Sequence, residues 1–67
     1  MNVTTEERIR LLKHGAELMK QRNRSKSSTR WNYYNTRLEA IMDNLAREHG
    51  LGYCDAQNQM YALILRG

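Results

Sequence analysis

The chain has 67 residues, one cysteine and no proline, and its 11 lysines and arginines outnumber seven acidic residues to give a net charge of +4. A chain this short holds a single domain (residues 1–67) with a thin core, and a lone thiol excludes a disulfide framework. No apolar run approaches the ~18 residues a bilayer span needs, and the start MNVTTEER has neither the basic region nor the greasy stretch of a secretory signal, so the expected location is cytoplasmic, with no membrane partner.

Few β-branched residues and abundant Leu, Ala, Glu, Arg, Lys, Gln and Met predict an all-α fold. A first helix is expected over residues 5–22, opened by Thr4 as cap with Glu7 reaching back in a capping box. At about 100° per residue, Ile9, Leu11, Leu12, Gly15, Ala16, Leu18 and Met19 share one half of this helix. An apolar arc that wide can touch two neighbours, and the small Gly15 and Ala16 permit close approach. The polar half carries lysine and arginine but lacks an aromatic anchor, so a membrane-surface role is not favoured.

The connector is read as residues 23–28, and the second helix as 29–49, capped by Ser28 or Thr29. Its apolar seam is Trp31, Tyr34, Leu38, Ile41 and Leu45, widened by Met42, a heptad spacing too brief for a long coiled coil. Trp31 is therefore assigned to the core. Gly50 suits the left-handed position that ends a helix, with Leu51 available for the apolar contact that follows it. An antiparallel pairing of the two helices then sets Met19 against Trp31 and Tyr34, and Ile9 near Ile41 and Leu45.

Asp55 is expected to cap a third, short helix over 55–65, with Ala56, Met60, Leu63 and Ile64 on one stripe. A strand is the rival reading for MYALIL, but no second strand offers itself for pairing. Tyr61 and Leu65 point away from the stripe. The expected architecture is an antiparallel helical hairpin with a third short helix. It is expected to self-associate through Leu11, Leu18, Tyr61 and Leu65, a homo-oligomer relieving the thin core.

Positive charge is concentrated. Residues 18–38 hold six basic residues and no acid, so the rest of the chain sums to −2. Lys20, Arg22, Arg24, Lys26, Arg30 and Arg37 are suited to phosphate contacts, and Tyr33 between two arginines suits stacking of an unpaired base. The expected partner is nucleic acid or an acidic protein surface. The bland reading is that a connector needs Arg, Lys and Ser only to stay solvated. No zinc-finger spacing, RNP signature, GXXG loop or helix-turn-helix supports sequence-specific readout.

His49, Cys54 and Asp55 lie close in sequence, and His14 is the only further histidine. A nucleophile needs a base, an orienting group and a dry pocket, and zinc needs four ligands. Neither set is offered here. His49 is read as complementing the end of the second helix, and Cys54 as a half-buried filler. The chain is accordingly expected to be a non-enzymatic binding or regulatory protein, without metal, cofactor or small-molecule substrate. The alternative is a protein-binding inhibitor or adaptor acting through the apolar third helix and the basic ridge. In size and texture the chain is similar to small helical-hairpin proteins of phages, plasmids and toxin–antitoxin systems. It shares no motif with them that would carry over a residue's role.

Overall fold

The described residues form two helices of 22 residues and one of 14: α1 (Val3–Arg24), α2 (Ser28–His49) and α3 (Tyr53–Arg66). The computed structural model describes residues 3–66, with side chains from Thr5 to Arg66. Among these there is no strand, and MYALIL is helical within α3. The chain is already helical at Val3, so Thr4 lies inside α1 and not ahead of it, and the Thr4–Glu7 capping box falls outside the described side chains.

The core follows from the apolar periodicity. Leu12, Ala16, Leu18 and Met19 of α1 pack with Leu38, Met42 and Leu45 of α2 and with Ala56 and Met60 of α3. The wide arc of α1 does meet two neighbours, since α1 packs on both α2 and α3. Gly15 is where all three helices come together. A Cβ built there would fall on the terminal methyl of Met60, 3.0 Å from its sulfur and 3.5 Å from Ile41 Cγ2. A side chain at Gly15 therefore requires the end of the buried Met60 side chain to shift.

Between α2 and α3 the chain turns at Gly50, whose φ of 65° is the left-handed conformation expected there. The Leu51 N–H donates to the Leu45 carbonyl at 3.1 Å, and the Leu51 side chain packs on the core.

Several sequence expectations change. The connector is only residues 25–27, because Asn23 and Arg24 continue α1 and Ser27 caps α2. Asp55 lies in the first turn of α3, which already begins at Tyr53. Cys54 is exposed, not half-buried. Gly15 of α1 faces Ile41, and Ile9 lines a hollow with Ala62 and Leu63 of α3. Leu18 is 8% exposed and belongs to the core. Trp31 is the largest departure, at 41% exposed. It stands on the first turn of α2, with the Arg22 guanidinium at the end of α1 against its ring.

Candidate functional site

The tip between α1 and α2 is built by serine hydrogen bonds. The Ser25 N–H donates to the Arg22 carbonyl at 3.1 Å, closing the last turn of α1. The Ser25 hydroxyl donates to the Ser27 carbonyl at 3.1 Å, which also accepts from the Trp31 N–H at 2.9 Å. Ser27 adopts extended backbone (φ −101°, ψ 131°), and its hydroxyl oxygen accepts from the Arg30 N–H at a long 3.5 Å. One serine thus ends the turn and starts the helix, which is the usual work of an N-cap.

Around this turn lie two open hollows. One, of about 350 Å³, is lined by Arg24, Lys26, Arg30 and Tyr34 with Gln21, Ser25 and Ser27. The other, of about 310 Å³, lies beside Trp31 and Asn32 and shares Ser25, Lys26 and Ser27 with the first. Arg24, Lys26 and Arg30 are exposed, and among the described residues none of them forms an ion pair. The first turn of α2 holds no acidic residue. Its free N–H groups and dipole add to the positive charge of the three side chains.

Along α2 the charged surface continues through Tyr33 and Arg37. The Arg37 guanidinium lies 5.5 Å from the Tyr33 ring centroid, and Tyr34 meets the same ring edge-on at 5.3 Å, with planes 75° apart. Tyr33 is therefore held on two sides, yet 57% of it remains exposed. An aromatic ring fixed in place and open to solvent is a stacking platform with little rotamer freedom left to lose.

Two of the residues expected at this site are used otherwise. Arg22 is half-buried; its Nη1 donates to Asn35 Oδ1 at 2.9 Å, and Nε and Nη2 donate to Asn23 Oδ1 at 3.3 Å. Its guanidinium also lies 5.3 Å from the Trp31 ring centroid. It is a strut that ties the end of α1 to α2. Arg22→Ala is expected to lower folding stability by about 1–2 kcal/mol, since it removes a charge-assisted hydrogen bond and a partly exposed cation–π contact. Urea denaturation followed by circular dichroism measures this, and an unchanged midpoint would contradict the strut. Lys20 pairs with Glu17 at 3.6 Å and lines a hollow with Leu63 and Ile64 of α3. It belongs to another face.

Of the four expected interface residues, Leu11 is half-buried against the core and Leu18 is buried, while Tyr61 and Leu65 are exposed, Leu65 at 87%. Among the described residues no group of three or more His, Cys, Asp or Glu side chains gathers to hold an ion. Among them, too, no helix is long and apolar enough to cross a membrane.

Tyr34 packs against the core as its place on the seam predicts, and it also lines the first hollow. Sequence reasoning missed Trp31 as a tip residue; the available signal was its position, in the first turn of a helix next to a short polar connector.

Fold and site together define a small three-helix, all-α protein with a basic tip that displays aromatic rings. Comparison with protein-family models, with curated proteins and with solved structures found no match.

Proposed function

We propose that the protein is a non-enzymatic binding or regulatory factor that contacts single-stranded nucleic acid through the tip and the Tyr33–Arg37 flank. The observation that carries this reading is the convergence of Arg24, Lys26 and Arg30, unpaired and exposed, on one hollow at the start of α2. Phosphates meet three cations and the positive end of a helix there, and an adjacent base meets the fixed ring of Tyr33. Stacking reads no sequence, so binding is expected to be sequence-tolerant and to prefer unpaired strands over duplex.

In this reading α1 and α2 form an antiparallel hairpin, the pairings Gly15 with Ile41 and Arg22 with Asn35 supporting that direction. The reaction partner is bound, not transformed, and the working compartment is the cytoplasm. The test is a titration of labelled single- and double-stranded DNA and RNA against wild type and Tyr33→Ala. Loss of one stacked base, about 1–3 kcal/mol, corresponds to roughly a five-fold to hundred-fold weaker single-strand complex, with duplex binding little changed. Equal affinities of wild type and variant for single strands would contradict a stacking role.

The outer face of α3 is the proposed self-association surface, now resting on Tyr61 and Leu65, because Leu18 is enclosed. Light scattering is expected to show mass rising with concentration in wild type. Leu65→Glu should remain monomeric with unchanged helix content. A wild-type chain that stays monomeric at high concentration contradicts this surface.

A further inference from the structure

Between α1 and α3 runs an apolar groove of about 410 Å³, floored by Ile9, Leu12, Ala62 and Leu63 and edged by Lys13 and Arg66. It continues past Lys13 and Leu63 into a second hollow of about 250 Å³, over Ala16 and Ile64, with Lys20 and Glu17 at its rim. The tip residues described above take no part in it. Ile9 is 46% exposed at its edge, a large aliphatic side chain that the chain's own fold leaves uncovered.

The charge left unpaired at the rim is positive. Lys20 and Glu17 neutralise each other at 3.6 Å, while Lys13 and Arg66 pair with no carboxylate among the described residues. A groove between two helices, aliphatic below and cationic at its edges, matches a third helix with aliphatic side chains beneath and carboxylates along its flanks. We infer that it receives an acidic amphipathic helix of a protein partner.

A second copy of this chain fits poorly. A two-fold pairing of grooves sets Lys13 and Arg66 against like charges. The exposed apolar pair of α3, Tyr61 and Leu65, has no carboxylate within a turn on either side. Nucleic acid fits poorly too, because the floor is aliphatic and offers no ring for a base.

The test uses a labelled synthetic peptide of about four helical turns, with leucines on one face and glutamates on the flanks, and a counterpart with lysines for the glutamates. Fluorescence anisotropy is read with the full-length chain at low and moderate salt. The acidic peptide is expected to bind, and its lysine counterpart at least ten-fold more weakly. Lys13→Glu should weaken the acidic peptide about ten-fold. Ala62→Glu, at an exposed position where the core is not disturbed, should abolish its binding while circular dichroism and oligonucleotide binding stay unchanged. The inference is overturned if neither peptide binds, if both bind alike, or if binding survives Ala62→Glu. Displacement of the peptide by an oligonucleotide would assign the groove to nucleic acid instead. A self-association that Ala62→Glu removes and Leu65→Glu does not would assign it to a second copy.

Discussion

Replacing Gly15 by leucine is expected to cost about 2–3 kcal/mol of folding stability, a large share of what a domain of this size holds. The direction is not obvious from local propensity, because leucine is the better helix former by close to 1 kcal/mol. Packing decides it. The first atom added at Gly15 already meets the end of Met60, which is fully buried, and the next atoms have Ile41 in their way. The seat of α3 on α1 must open, or Met60 must leave it. Met60→Ala in the same chain vacates that space, so the double variant should be less destabilised than the two single effects added, by about 1–2 kcal/mol. Urea denaturation of the four proteins gives this coupling directly. Additive effects would mean that Gly15 and Met60 do not share a contact.

Reversing Arg24, Lys26 and Arg30 together to glutamate is expected to weaken single-strand binding at least a hundred-fold at low salt, through loss of phosphate contacts and added repulsion. The same change should leave the fold intact, because the three side chains are exposed and make no hydrogen bond or ion pair among the described residues. Arg30 makes the prediction sharper. It lies in the first turn of α2, where the helix dipole favours an anion and opposes a cation. Arg30→Glu alone should therefore raise folding stability slightly, by a few tenths of a kcal/mol, while lowering affinity. A gain in stability together with a loss of binding separates a functional charge from a structural one. If affinity changes less than about three-fold in the triple variant, the tip is only a solvated connector.

The helices themselves were legible in the sequence, because their apolar positions recur at helical spacing and Gly50 marks an end that few other residues tolerate. Proximity of α1 to its neighbours was legible too, in the small Gly15 and Ala16. Register was not. Helical periodicity says which face of α1 is buried but not which residue stands opposite, so the place of Gly15 opposite Ile41 was not foreseen. The fate of Trp31 has the same origin. It follows the spacing of the seam, yet it is 41% exposed, with the Arg22 guanidinium 5.3 Å from its ring centroid. In the candidate site, the run of positive charge was plain, whereas its division was not. Arg22 is committed to Asn35, Asn23 and Trp31, and Lys20 to Glu17, by contacts that depend on three-dimensional neighbours. Leu18 looked like surface for a partner because it lies on the apolar arc of a helix whose width leaves its innermost positions undetermined.

The most direct test of nucleic-acid contact at the tip is the salt dependence of single-strand affinity for the wild-type chain. Contacts from Arg24, Lys26, Arg30 and Arg37 give an expected slope of log K against log salt near −3, from about 0.7 per phosphate on a single strand. An absence of binding at low salt, or an affinity that does not move with salt, would contradict it.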